Sequence, residues 1–152
     1  MELKTYNSIT VARYMLALSS ERDIKLNVTQ IQKLLYIVYG YFLANYNHRI
    51  FDEQPKTWPY GPVFPKTRNK VDFSTRYKIT DDEFIEIKSD KILTDIIISV
   101  TGKYSKYSAA QLSEWSHMEG SPWELTTKQQ GFNWNQPIPD NLIKNYFEEL
   151  NV

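Results

Sequence analysis

The sequence predicts a mainly α protein: a single compact domain over residues 1–152, with five to six helices around one core and at most a short β-hairpin. Three observations carry this. Apolar residues recur at helical spacing in several segments, cap residues open most of them, and four of the seven prolines crowd into residues 51–65. The hydrophobic fraction of 41% supports a real core, and the eleven tyrosines and four tryptophans suit both cores and protein interfaces.

Residues 9–20 contain good helix formers, with Asn7 or Ser8 as cap. In "NVTQIQKLLYIVYGYFLANY", Ile31, Leu34, Leu35, Val38 and Phe42 form one apolar stripe, and Thr29 with Gln32 spells a capping box. Gly40, inside this helix, costs about 1 kcal/mol against alanine, so it reads as a site of close helix approach. The stretch "FDEQPKTWPYGPVFP" carries Pro55, Pro59, Pro62 and Pro65. Proline fixes φ and removes a donor, so the stretch is expected as a rigid loop with a short edge strand near residues 56–58.

"FSTRYKITDDEFIEIK" is ambiguous. Tyr77, Ile79, Ile85 and Ile87 alternate like two short strands, while Thr80 and Glu83 match a capping box. Ile92, Leu93, Ile96, Ile97 and Val100 form a helical stripe, with Gly102 expected as its C-cap. Ser108 with Gln111, and Ser121 with Pro122 and Glu124, open two further helices. The final helix is expected to bury Leu142, Ile143, Tyr146, Phe147 and Leu150.

Net charge is zero, so no global field attracts nucleic acid or anionic membrane. Residues 56–78 nevertheless hold six Lys/Arg against Asp72 alone. The absence of cysteine excludes disulfides, thiolate nucleophiles and cysteine-ligated metals. The N-terminus lacks a signal-peptide pattern and no stretch is long and apolar enough to span a bilayer, so a cytoplasmic protein is expected.

The stretch "WSHMEGSPWE" poses the question of catalysis, since it places His117 and Glu119 between Trp115 and Trp123. On a helix, positions two apart face about 200° away from each other. No serine elbow or phosphate loop accompanies the pair, and the other histidine, His48, lies in no metal-ligand spacing with it. The reading is a hinge: Gly120 ends one helix, Ser121-Pro122 starts the next, the two indoles pack at the corner and His117 bonds the proline-rich loop. No catalytic residue, cofactor or metal is expected. Lys56, Lys66, Arg68, Lys70, Arg76 and Lys78 around Trp58 and Tyr60 are suited to phosphates and bases, but the sequence pI near 6.7 and the lack of a helix–turn–helix pattern weigh against nucleic acid. Trp58, Tyr60 and Val63 on a proline-held loop suit a protein-binding module better, because rigid anchors lose little entropy on binding.

Two motifs carry a family resemblance. The first comprises Gln32-Lys33-Leu34-Leu35-Tyr36, Phe51-Asp52-Glu53, Trp58, Tyr60-Gly61-Pro62-Val63 and Pro65; the second comprises Leu112, Trp115, His117, Glu119 and Ser121-Pro122-Trp123. Together with the closing Ile138, Ile143, Tyr146 and Phe147, they resemble the Panacea domain, also called the SocA-like or phage-associated protein family. One departure is that Thr57 precedes Trp58 and Pro59 follows it, where the family often has a small residue before the tryptophan. No helix–turn–helix extension of the kind some relatives carry is attached, which argues against autoregulation through DNA contacts.

The resemblance implies an antitoxin, encoded beside its toxin and often in a prophage, that neutralises the toxin in a direct protein complex. The alternative it implies is a proteolytic adaptor delivering a toxin to the Clp protease. On this reading Trp58, Tyr60, Gly61, Pro62, Val63, Trp115, His117, Glu119, Pro122 and Trp123 hold the fold. The partner then meets the less patterned Lys66, Arg68, Lys70, Phe73 and Arg76.

Overall fold

A computed structural model of the chain describes residues 2–150. Its organising element is α2 (Val28–Tyr46), in which every residue from 30 to 40 is buried. Helices α1 (Ser8–Glu21), α5 (Lys91–Tyr104), α6 (Ala109–Ser116) and α8 (Asp140–Leu150) pack around it. Between them lie the hairpin strands β1 (Lys56–Trp58) and β2 (Gly61–Val63), the short helices α3 (Pro65–Lys70) and α4 (Ile85–Ser89), and α7 (Pro122–Thr127). The helical architecture with one small antiparallel hairpin follows the expectation. The helix count does not: eight α-helices are present among the described residues, because α3 and α4 add to the six expected.

The two additions have local causes. Pro65 occupies the first turn of α3, where its missing N–H costs nothing. The next two N–H groups, of Lys66 and Thr67, donate to the buried Glu53 carboxylate, which also receives the hydroxyls of Ser8 and Thr67. In place of the strands expected near 77–79 and 85–87, the chain forms a 3-10 turn at Asp82–Phe84 and then α4. Helical spacing wins over alternation here because it places Phe84 and Ile87 together in the core, with Phe84 edge-on to Tyr14 at 5.4 Å between centroids, and leaves Ile85 in solvent.

Several end signals are displaced. The capping box of α2 is Asn27 with Gln30, two residues before the pair expected, so Gln32 is free for the interior. Helix α5 continues through Gly102 to Tyr104, and Gly102 faces open space. The Ser108–Gln111 box opens α6 as expected. In α8, Ile143 and Phe147 are fully buried, Leu142 and Tyr146 are half-buried, and Leu150 lies exposed, since the helix meets α2 along one narrow stripe.

That stripe depends on Gly40. A β-carbon placed there would lie 2.3 Å from the Phe147 ring, closer than two carbons approach. Gly40→Ala is therefore expected to destabilise by about 1–3 kcal/mol in urea unfolding, despite the better helix propensity of alanine. The loss should shrink when Phe147→Leu is made in the same chain.

Candidate functional site

Several of the motif residues singled out in the sequence converge on one element, the hairpin. Its register pairs Lys56 with Val63, Thr57 with Pro62 and Trp58 with Gly61, leaving Pro59 and Tyr60 as the turn. On the outer edge of β1, the Thr57 N–H and hydroxyl both donate to the Gln136 carbonyl, and Asn135 N–H returns to Thr57. Thr57, the residue that departs from the family pattern, is thus fully buried as the hairpin's outer anchor.

The inner side is held by α2 and the α6–α7 junction. The Gln32 amide pairs with both backbone groups of Phe64, accepting from its N–H at 2.7 Å and donating to its carbonyl at 3.2 Å. The Lys33 ammonium donates to the Pro62 carbonyl at 3.1 Å. The Trp123 indole donates to the Trp58 carbonyl at 2.8 Å. Gly61, at φ 110°, lies against Ser116 and Lys33 with no room for a β-carbon.

His117 caps the end of α6, and its ring packs on Trp123 with centroids 4.3 Å apart. Burial, with the positive Lys33 nearby, depresses its pKa against an opposing hydrogen bond to the Pro59 carbonyl. The imidazole is therefore held toward its neutral form. Glu119 is exposed on the far side, where its charge acts on Lys128. The two residues form no dyad.

The hinge differs from expectation in two details. Helix α6 stops at Ser116, before Gly120, and the Glu124 carboxylate accepts the Gly120 N–H. The indoles also diverge. Trp115 joins Tyr36, Tyr146 and Phe147 in the core, whereas Trp123 packs on His117 and Trp134. Pro122 is buried at the start of α7 as Ser121 caps it.

The candidate contact residues do not share one surface. Arg68 stacks its guanidinium over the Trp58 ring at 5.5 Å, and Lys66, two positions earlier on α3, is exposed. Phe73 and Arg76 instead line a shallow depression against Leu16, Ile24 and Leu26. Lys70 is exposed at the end of α3, its carbonyl taken by Arg13. Val63, read as holding the fold, is buried, because β2 faces α2; Tyr60, read the same way, is instead exposed, because it sits at the hairpin turn.

The outer face of the hairpin is therefore aromatic and basic: Tyr60 is 65% exposed at the turn, Trp134 is 55% exposed, and Trp58 lies under Arg68. Trp134 was not singled out in the sequence because it sits in a polar loop without periodicity. Lys33 was missed because a lysine in a helical stripe normally faces water. Among the described residues no group of three or more His, Asp or Glu is placed to hold a metal, and no helix is long and apolar enough to cross a membrane.

A helical domain that fixes a hairpin from both edges and leaves its aromatic turn outside has the form of a binding module. Its sequence pattern matches that of the antitoxin SocA-like Panacea domain over residues 31–124, and the chain belongs to that family. It is 27% identical over 150 residues to Antitoxin SocA of Caulobacter vibrioides (strain NA1000 / CB15N), an alignment covering 90% of this chain and 80% of that protein. No solved structure matches it.

The buried Lys33 gives a pH test. Desolvation lowers its pKa from 10.5 to about 8, so the unfolded chain takes up this proton more readily than the folded one. Lys33 thus costs stability at neutral pH, and the cost is relieved as pH rises from about 8 toward 10.5. The urea unfolding free energy of wild type relative to Lys33→Met should rise across that window, by at most about 3 kcal/mol.

Proposed function

We propose that this chain is an antitoxin that neutralises a cognate protein toxin by forming a stoichiometric complex, and that the hairpin face is where the toxin docks. Membership of the SocA-like family supports the antitoxin role. The observation that carries the docking assignment is Tyr60, two-thirds exposed on a turn whose flanking strands are held by Gln136, Lys33 and Trp123. Ordering such a turn on binding costs little, so aromatic burial is retained as affinity. Aromatic and arginine side chains dominate binding energy at protein interfaces. Arg68 borders the turn and would steer an acidic partner. Phe73 and Arg76, around the corner, are assigned a peripheral part.

The other reading is that of an adaptor, which binds a toxin in order to deliver it to the Clp protease. The two differ in what happens after binding. A stoichiometric inhibitor leaves the toxin intact, whereas an adaptor requires the protease for rescue.

Co-expression of the chain with its neighbouring reading frame, scoring growth and then pulling on a tag, tests both. Rescue with a one-step co-purified complex, retained in a host lacking the Clp protease, is the expected result. Rescue that disappears in that host while binding persists would replace inhibition by delivery. Tyr60→Ala and Arg68→Glu are each expected to weaken the complex by roughly 30-fold, about 2 kcal/mol at a hot-spot position, without lowering the melting midpoint.

A further inference from the structure

A small pocket opens beside the hairpin, between the start of α2 and α3. Thr29 and Lys33 from α2, Trp58, Tyr60 and Val63 from the hairpin, and Arg68 from α3 line a cavity of about 130 Å³. That is room for about four waters, the space of a carboxylate with the methylenes that carry it.

The chemistry of this pocket is unbalanced. Lys33 is 1% exposed, and the Pro62 carbonyl accepts one of the three protons of its ammonium. Arg68, stacked on Trp58, makes no ion pair. Among the described residues no carboxylate lies within 4.0 Å of either cation. Buried charges in proteins are ordinarily paired, because desolvating an ion without a counter-charge costs several kcal/mol. The neighbouring titratable group is His117, itself held toward neutrality, and it supplies no negative charge. A hydrophobic residue at position 33 would fill the same space without that cost. The lysine therefore leaves a demand for an anion that the described residues do not meet.

We propose that this pocket is an anchor for one glutamate or aspartate side chain of the bound protein partner, its carboxylate meeting Lys33 in the interior and Arg68 at the mouth. The inference rests on the docking of a toxin at the hairpin face. Pocket and exposed turn are contiguous through Tyr60, which belongs to both. Carboxylate chemistry is favoured over nucleic-acid phosphate by the size of the cavity and by the zero net charge of the chain, which provides no wider field for a polyanion. Closing the pocket with a carboxylate removes the penalty on the Lys33 charge, so part of the binding energy comes from a cation already ordered and desolvated.

The test begins on the free protein, so that it does not depend on the toxin. The Lys33 Hε–Cε resonance is titrated with pH in sodium acetate and in sodium chloride of equal ionic strength. Acetate is expected to raise the Lys33 pKa by about 1 unit relative to chloride. It should also shift the Arg68 Nε and Trp58 Nε1 resonances, and Lys33→Met should abolish both shifts. Equal behaviour in the two salts, or shifts that persist in Lys33→Met, would overturn the proposal. So would a response to phosphate and none to acetate, which would instead indicate a nucleic-acid backbone.

The second arm uses the toxin. Lys33→Met and Arg68→Gln, neither of which lowers the melting midpoint, should lose at least tenfold in complex affinity. If they bind as well as wild type while wild type neutralises, the anchor is wrong and the antitoxin reading stands. If wild type neither binds nor neutralises, the antitoxin reading falls, and the partner anchor falls with it.

Discussion

A helix enclosed along most of its length has little solvent in which to satisfy polar side chains, and α2 buries five of them: Gln30, Gln32, Lys33, Tyr36 and Tyr39. A buried polar group needs a partner from whatever packs against it, and four of the five find one, while the Tyr36 hydroxyl has none among the described residues. Gln30 donates to the Tyr107 carbonyl, Gln32 pairs with Phe64, Lys33 reaches Pro62, and Tyr39 bonds Asp140, which also holds Arg49. In every such pair the partner lies in the hairpin, in an irregular segment or at a helix end. The loops are placed by the polar demands of the central helix, and the rest of the architecture follows from that requirement.

This explains why a loop with four prolines is so well determined. Proline withholds donors from a sheet, so the hairpin cannot be secured by extensive strand pairing. It is instead clamped by side-chain donors aimed at its carbonyls: Lys33 at Pro62 and Trp123 at Trp58, with Gln32 closing the strand exit. The carbonyls that proline leaves available are the ones the clamp uses. Rigidity of the turn is thus a product of the core, and it is what makes an exposed tyrosine there useful to a binding surface.

The same arrangement separates support from contact within a single motif. Gly61, Pro62 and Val63 are interior, whereas Tyr60, beside them in the chain, is two-thirds exposed. His117 and Trp123 stand behind the turn, and Glu119 faces away. A chain of this design can keep its clamp while the side chains on the outer face change.

Local chemistry made much of this legible in the sequence. The apolar stripes of α2, α5 and α8, the Ser108 and Ser121 caps, the rigid proline loop with its strand at 56–58 and the close approach at Gly40 are properties of neighbouring residues and short periods, which act before tertiary contacts form; the second strand of the hairpin was not among them. The choices that depended on competing local signals were settled by distant groups. Alternation at residues 85–87 lost to the burial of Phe84 and Ile87 against α1 and its neighbours. Gly102 failed to stop α5 because that face of the helix is open. The basic segment was divided because Arg68 found Trp58 while Phe73 and Arg76 turned toward α1. The burial of Lys33 was decided by tertiary structure alone: periodicity places a lysine on a helix face, but only the hairpin folded over that face turns it from a solvated charge into an interior cation.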